Sequence, residues 1–325
     1  MSDSSDMNAL RRALAGLEGE IVSLGGRAGA RVTTLVHHLT FGTAVTDDSI
    51  MAAIAGDRET IRTARGPAML PAKGGKHIAI VPMHGIALPK FEYPGLAYST
   101  FGLAQIINAL ANDPTISAVI LDIDSPGGAV CGTPEAADAV YNARQRKPVI
   151  AHINPLAASA AYWISSQASY SVIAQSGEAG ALGCFVLHVE ASRMIRAQGI
   201  TATYIVSEQS PFKTEGNPLE KLTDAALAFE QKQVNTIGRQ FIHEAARGRG
   251  VAASTVESSF GKGRVLSSGD SLRADLVDRV GTFEDAFRLA AAPATMRAAR
   301  LAQFAQPREP RSPAMARQRR LEALR

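Results

Sequence analysis

Short apolar runs alternate along the chain with stretches in which apolar residues recur at helical spacing. Bounded by Gly, Pro or Asp, the apolar runs predict buried strands at 77–83, 117–123, 148–153, 170–174 and 201–206. Helices are predicted between the strands, one of them beginning at Thr133-Pro134-Glu135, where a capping residue precedes proline. A longer helix is predicted from about Leu219 to Ala246. This alternation predicts an α/β core with a largely parallel sheet and helices on its faces.

Composition divides the chain into three regions. Residues 1–75 contain an amphipathic helical pattern from Leu10 to Leu24, a second segment from Ser49 to Arg65 and a Gly/Pro linker, and they contain no chemical motif. Residues 76–289 hold the α/β pattern, and residues 290–325 form an Arg-rich tail. The tail is predicted to be flexible, with a helical pattern from Met315, because Pro307, Pro310 and Pro313 interrupt a polar sequence.

The net charge of +4 belongs to the tail. Residues 291–325 contain eight arginines and two glutamates, so they contribute +6 and leave −2 for the remainder. The simpler interpretation is a solvated tail, and the alternative is a tail that binds an acidic protein or nucleic acid. Nothing outside the tail indicates nucleic acid as a partner.

Several classes of protein find no support in the sequence. A hydrophobic content of 46% is enough for a substantial core. Two cysteines, Cys131 and Cys184, give no disulfide framework and indicate a reducing compartment, with buried packing favoured for both. No signal peptide or membrane anchor is recognised, because charged residues interrupt the first apolar pattern. Histidine spacing indicates no metal site, and the absence of a phosphate loop indicates no nucleotide cofactor.

Ser159 and Lys213 are the candidate nucleophile and general base. A serine hydroxyl needs an adjacent base, and a neutral lysine can serve where burial disfavours its ammonium form. Ser159 lies among alanines at the start of a helix predicted from Ser159 to Ala168, where unpaired amides favour developing negative charge. Taken singly, Ser159 is typical of a close-packed helix and Lys213 of a solvated loop.

An oxyanion site is predicted from the Ala160 amide together with Gly127 or Gly128. Two glycines after a buried strand let backbone amides approach a substrate closely, and each such donor commonly lowers a barrier by about 2.7–4 kcal/mol. Pro126-Gly127-Gly128 on its own is also ordinary turn chemistry. Both glycines remain candidates.

Other polar groups near these motifs have simpler interpretations. Asp122 and Asp124 could form a carboxylate pair for acid–base work, but turn formation at the strand end is favoured. His152 could act as a base, but a half-buried strand histidine is the simpler account.

Three motifs, in their order and spacing, resemble the signal peptide peptidase A family of serine peptidases (peptidase family S49), most closely its bacteriophage branch of capsid-assembly proteases. They are the stretches that contain Gly127-Gly128, Ser159 and Lys213. The resemblance covers roughly Lys76 to Phe287 and includes Gly263-Arg264-Val265 and the stretch 276–281. It implies a Clp protease/crotonase-like fold, a Ser159–Lys213 dyad, an oxyanion loop at Gly127-Gly128 and no cofactor.

One position departs from that family. Many relatives have a serine in a Gly-Ser-Leu-Gly turn that orients the lysine, whereas this chain reads Gly180-Ala181-Leu182-Gly183. A water, a backbone carbonyl, Ser210 or Thr214 would have to replace that hydroxyl.

The expected function is that of a serine endopeptidase that cleaves capsid or scaffold proteins during phage head assembly. It would work in the host cytoplasm, including within assembling proheads, as a homo-oligomer like many relatives. The substrate backbone is expected to lie extended beside Gly127-Gly128, with small or apolar side chains near the scissile bond. The alternatives are a cellular peptidase for signal-peptide remnants and a weakly active or non-catalytic assembly protein with the same fold. An acyl-CoA enzyme is disfavoured because it would leave the lysine motif without a purpose.

Overall fold

The computed structural model describes residues 67–92 and 96–292, together with the backbone of Val22–Leu24. Strands are numbered in chain order: β1 Val22–Leu24, β2 Ala68–Pro71, β3 His77–Leu88, β4 Ala97–Ser99, β5 Ile116–Ala129, β6 Val149–Ala158, β7 Tyr170–Ile173, β8 Glu178–Gly180, β9 Val265–Ser267 and β10 Arg279–Val280. Helices are α1 Thr100–Asn112, α2 Thr133–Ala143, α3 Ala160–Ser165, α4 Ser192–Ala197, α5 Asp224–Arg249, α6 Ala253–Ser259, α7 Ser268–Arg273 and α8 Phe283–Ala291.

These strands form one mixed, mostly parallel sheet whose main order is β10-β7-β6-β5-β3-β2. The neighbours β3 and β5, β5 and β6, and β6 and β7 all run parallel. Beyond Ser125, which pairs with Ala157, β5 leaves β6 and continues beside β3. On the other edge of β6, beyond its pairs with β7, the last residues of β6 pair with β8, which pairs antiparallel with β9. The sheet therefore splits between the C-terminal ends of β5 and β6.

Helices cover both faces of the sheet. On one face α1, α2, α3 and α5 bury apolar side chains with those of the central strands, including Trp163 stacked on Phe241 at a centroid distance of 4.4 Å. On the other face α8 packs Ala286 and Leu289 on Ile120 and other β-branched residues. Because helices cover both faces of the sheet, successive residues of the central strands are buried, and these strands are continuous apolar runs in the sequence.

A buried ion pair fixes the C-terminal motif to the core. Arg249, at the end of α5, donates from two nitrogens to the two carboxylate oxygens of Asp278 at 2.9 and 2.7 Å. The Asp278 carboxylate also accepts from the Ser171 amide at 2.8 Å. Both side chains are almost fully buried, and the bidentate geometry is the strong form of this interaction. Stretch 276–281 is therefore a structural element that holds α5 and β10 against β7.

The predicted α/β class with a largely parallel sheet is confirmed, and four of the five predicted strands are present. Residues 201–206 are not a strand: they lie in an exposed segment without regular structure, because no neighbouring strand pairs with them. The helix after Ser159 ends at Ser165 rather than Ala168, and the long helix begins at Asp224, where the Thr223 side chain caps it. The helix at Thr133 is confirmed as α2.

Two further expectations are wrong, and others concern residues that the structure does not describe. Val22–Leu24, predicted as the end of a helix, is the strand β1. Cys131 is exposed rather than buried, because it follows the end of β5 at the protein surface. The remainder of the predicted N-terminal helix, the 49–65 segment and the Arg-rich tail lie outside the described residues. The sheet extends beyond the predicted α/β region, since β1 pairs with β5 and β2, from Ala68 to Pro71, pairs with β3.

Candidate active site

Ser159 lies at the sharp turn between β6 and α3 and is fully buried. Its backbone has φ 58° and ψ −120°, a combination that residues with a side chain rarely adopt. Strain of this kind costs about 1–3 kcal/mol and is concentrated at functional sites. Ser159 follows the last residue of β6 and is the N-cap of α3. Ala160, the first residue of α3, contributes one of the amides that have no partner within the helix.

The turn 180–183 supports the serine. The Ser159 amide donates to the Gly180 carbonyl at 2.7 Å, and its hydroxyl lies 3.4 Å from the Gly183 carbonyl. Ala181, where many relatives have serine, donates its amide to the Arg264 carbonyl at 2.8 Å. A side chain at Gly180 would approach that same carbonyl to 2.7 Å. The predicted motif at 263–265 therefore holds the turn that positions Ser159.

Gly127 and Gly128 lie inside the final part of β5, beside β3, rather than in a turn beyond the strand. Gly127 has φ 99°, and its amide lies 3.2 Å from the Ser125 hydroxyl. A Cβ atom on Gly128 would come within 2.0 Å of the Ala87 carbonyl oxygen. The glycine pair is thus required by close packing of two strands, and it brings backbone amides to the edge where β5 leaves β6.

Lys213 lies in the exposed segment between the turn 180–183 and α5. It lines a cleft of about 420 Å³ with Tyr204, Asn217 and Glu230, and Ser159 is not among the residues of that cleft. Its backbone amide donates to the Ser210 carbonyl at 3.1 Å. Within the described residues the structure does not bring the Lys213 amine into hydrogen-bonding contact with Ser159.

A second polar cluster lies on the α8 face of the sheet. Asp122 accepts from His84 at 3.0 Å and from His152 at 3.2 Å, so one carboxylate joins β3, β5 and β6. Burial alone would raise the pKa of Asp122, but the two histidine hydrogen bonds outweigh burial and hold the pKa well below its usual range. Burial raises the pKa of the neighbouring Asp124.

The cluster corrects two expectations. Asp122 and Asp124 lie within β5 and do not form a strand-end turn, because the strand continues to Ala129. His152 is almost fully buried rather than half-buried, packed edge-on against Phe283. Among the described residues, no group of His, Cys, Asp and Glu is arranged to hold a metal ion.

The strand β1 lies beside the candidate oxyanion loop. It pairs antiparallel with the end of β5, with Val22 opposite Ala129, Ser23 opposite Gly128 and Leu24 opposite Gly127. Because β3 occupies the other edge of β5 at these glycines, β1 lies on the edge that β6 has left.

The chain matches the model of Peptidase family S49 over residues 142–297, a span that includes both Ser159 and Lys213. This match confirms the resemblance to that family. Similar proteins include Capsid assembly protease C of Escherichia phage lambda, 27% identical over 79% of this chain and 59% of that protein. They also include the Head-tail preconnector protein GP5 of Enterobacteria phage P21, 28% identical over 75% of this chain and 46% of that protein. The chain thus spans about half to three-fifths of the length of these relatives.

Among solved structures, a ClpP1 variant from Listeria monocytogenes aligns with 64% of this chain and 93% of its own, at 12% identity and a TM-score of 0.41. The likeness concerns the fold alone, and nothing about the chemistry follows from it. No helix in the described part of the chain has the length and apolar character needed to cross a membrane.

Sequence reasoning missed three contributors near the site. His84 has no local signal, because its partner Asp122 is 38 residues away and only strand pairing brings the two together. Ser125 belongs to no recognised motif of its own, yet its hydroxyl accepts from the Gly127 amide. The strand β1 gave no signal, since its residues also fit the helical pattern.

Proposed function

We propose that the chain is a serine endopeptidase in which Ser159 is the nucleophile and Lys213 the general base. The observation that supports this best is the strained turn at Ser159, formed where β6 ends, two residues after the last pair between β5 and β6, Ser125 and Ala157. A buried serine in a rarely adopted conformation, at a helix start, is poorly explained by packing alone. The match to peptidase family S49 over both residues supports the same assignment.

The chemistry would proceed through an acyl-enzyme without a cofactor. Lys213, as a neutral amine, would take the Ser159 proton while Oγ attacks the scissile carbonyl. The amides of Ala160 and of Gly127 or Gly128 would stabilise the oxyanion. Lys213 would then return the proton to the leaving amine, and water would release the acyl group by the reverse path.

Lys213 would have to move to perform this role. Its segment exposes large apolar side chains, with Ile205 96% and Phe212 70% exposed. Exposed apolar groups of this kind typically mark a surface that is covered by another protein. We therefore propose that the active form is a homo-oligomer, or a complex with the protein substrate, in which this segment is ordered and the Lys213 amine approaches Ser159.

Capsid or scaffold proteins are the proposed substrates, cleaved in the cytoplasm of the host or inside assembling proheads. The names of the two phage relatives support this choice. Replacing residues of a cleaved peptide one at a time tests the expected preference for small or apolar side chains. Equal cleavage with bulky charged side chains at every position would contradict that preference.

The test is co-expression with neighbouring capsid and scaffold proteins, followed by intact mass measurement. Cleavage by the wild type and loss of cleavage in both Ser159→Ala and Lys213→Ala are expected. Lys221→Ala is a matched control, because Lys221 also precedes α5 in the same segment, and it should leave cleavage unchanged. Cleavage that survives Ser159→Ala would refute the choice of nucleophile.

A non-catalytic assembly protein with the same fold is the second candidate. Ala181 at the position of a usual serine, and the exposed position of Lys213, favour it. Unchanged masses in every co-expression, with incorporation of the chain into capsid particles, would support this candidate. A cellular peptidase acting on signal-peptide remnants would instead be found beside genes unrelated to capsids.

A further inference from the structure

We propose that the cluster of His84, Asp122 and His152 positions the catalytic groups: its hydrogen bonds set the ends of β5 and β6 at the separation that the reaction needs. The proposal rests on the function proposed above and adds three positioning residues to it. The cluster lies on the α8 face of the sheet, whereas α3, which follows the nucleophile, packs on the other face. The three side chains therefore act through the strands and not by contact with the substrate.

The two halves of the candidate site are carried by strands that separate. The candidate oxyanion amides lie in the last part of β5, and Ser159 directly follows β6. An oxyanion donor acts from about 2.7–3.1 Å, and a misplacement of about 1 Å can cost on the order of 100-fold in rate. The offset between the ends of β5 and β6 therefore decides how well the site works.

Regular strand pairing does not fix that offset. On one side of β5, β6 uses residues 153–157 where β5 uses only 123–125. On the other side, β3 uses residues 84–86 where β5 uses 124–127. Both irregular stretches begin at the cluster or immediately after it, on the way to the catalytic groups. The cluster is thus at the last point where the three strands share a regular register.

At that point the cluster ties the three strands together. The Asp122 carboxylate accepts from His84 of β3 at 3.0 Å and from His152 of β6 at 3.2 Å, with one bond on each oxygen. Earlier positions on the same face of β5 and β6 hold apolar residues such as Ile120 and Ile150. Apolar packing has no direction, whereas hydrogen bonds to an ionised carboxylate have a defined geometry. The change from apolar to charged residues therefore comes where the offset has to be fixed.

The Asp122 carboxylate is the common acceptor of the cluster. Burial alone would raise the pKa of Asp122, but the two histidine hydrogen bonds outweigh burial and hold the pKa well below its usual range. Burial raises the pKa of Asp124, the neighbouring carboxyl on β5, and the charge of His84 opposes that rise. Beside the cluster, β7 places Val172 and α8 places the ring of Phe283, and neither side chain titrates.

Asp122→Asn makes the contact depend on pH. A carboxylate accepts from both histidines whether each of them is neutral or protonated. An amide has one accepting oxygen and one donating nitrogen, so it satisfies both histidines only while one facing ring nitrogen carries no proton. Below about pH 6, histidines generally carry both ring protons, and the amide N–H would then face another N–H.

The experiment measures labelling of Ser159 by a fluorophosphonate probe. The serine oxygen displaces fluoride from phosphorus, and the phosphoryl oxygen occupies the oxyanion position. Rates at several probe concentrations separate probe binding from the maximal rate, and circular dichroism gives the folded fraction by which each rate is divided. His84→Leu should lower the maximal rate by about tenfold to 100-fold without weakening probe binding. His84→Gln should restore most of that rate, because its amide nitrogen replaces the donating Nε2.

The pH arm uses Asp122→Asn. This variant should be labelled at nearly the wild-type rate at about pH 8, and roughly tenfold more slowly than the wild type at about pH 5.5. Ile120→Val is the matched control, because Ile120 lies on the same face of the same strand beneath α8. It should lower the midpoint of urea unfolding and leave the rate per folded molecule unchanged at both pH values. A cluster with a structural role alone would make every cluster variant behave like this control.

The outcomes separate this proposal from the proposed function. If the wild type is labelled, Ser159→Ala is not, and the cluster variants keep the wild-type rate per folded molecule, the serine peptidase stands and the positioning role is refuted. A loss in Asp122→Asn of the same size at both pH values would also refute the hydrogen-bond account. If the wild type is not labelled, or if Ser159→Ala is labelled equally well, both proposals fail.

Discussion

Replacing Ser159 by glycine and by alanine separates backbone strain from loss of the hydroxyl. Both variants lack the nucleophile, and they differ only in the Cβ atom. At φ 58° and ψ −120° that atom is the source of the strain, so Ser159→Ala keeps the strain and Ser159→Gly removes it. The quantity to compare is the free energy of unfolding of the two variants.

The expected difference follows from three contributions. Glycine ordinarily lowers stability relative to alanine by about 0.5–1 kcal/mol through chain entropy. Removing one buried methyl group costs about 0.8 kcal/mol more. Together these would make Ser159→Gly about 1.5 kcal/mol less stable than Ser159→Ala. Relief of strain worth about 1–3 kcal/mol offsets most or all of that deficit, so the free energy of unfolding of Ser159→Gly should lie between about 0.5 kcal/mol below and about 1.5 kcal/mol above that of Ser159→Ala.

Equilibrium unfolding in urea measures this difference, provided that the m-values of the two variants agree. Ala161→Gly is the matched control, because Ala161 is fully buried in the first turn of the same helix and has no positive φ. It should lose about 1.5 kcal/mol relative to the wild type. The free energy of unfolding of Ser159→Gly could instead lie as far below that of Ser159→Ala as Ala161→Gly lies below the wild type. In that case the turn is not strained, and the argument for a positioned nucleophile loses its main support.

Three other perturbations test the surrounding structure. Gly128→Ala should lower the free energy of unfolding by about 1–3 kcal/mol, since its Cβ would overlap a β3 carbonyl. Gly238→Ala, in open space on α5, should raise that free energy by roughly 0.5–1 kcal/mol, and calorimetry of both variants measures the two changes. Asp278→Ala should cost about 3–5 kcal/mol in a urea titration, because it leaves Arg249 buried and unpaired. The pKa of Asp122 is lowered in the folded protein, so its contribution to the free energy of unfolding is complete above about pH 4 and is lost as the pH falls further. The free energy of unfolding of the wild type should therefore fall more steeply below about pH 4 than that of Asp122→Asn. Parallel plots of that free energy against pH would contradict the lowered pKa.

The central strands and the helix start at Ser159 were predictable because their signals are local. Apolar runs in β3, β5, β6 and β7 are bounded by breakers, and both faces of these strands are covered. The continuation of β5 through Gly127 and Gly128 was not predictable, since Pro-Gly-Gly usually ends a strand. Only the packing of the Gly128 backbone against β3 turns that sequence into strand.

What the sequence could not provide depends on contacts between distant segments. His84 and His152 meet through Asp122 because three strands share a register, and no local pattern encodes that register. The strand β1 arises by pairing with β5 although its own residues fit a helix, so tertiary contact overrides local propensity. The same limit applies to Lys213, whose motif indicates chemistry but not its distance from Ser159.

The exposed segment between Ala181 and Thr223 starts and ends at fixed points. At its start the Ala181 amide is bonded to the Arg264 carbonyl, and at its end the Thr223 side chain caps α5, whose far end is held to the core by the buried pair of Arg249 and Asp278. For a loop held in this way, doubling the length costs only about 0.6 kcal/mol of closure entropy. Insertions and deletions here should leave the core folded, so this is the part of the chain where evolution or design could exchange one recognition segment for another.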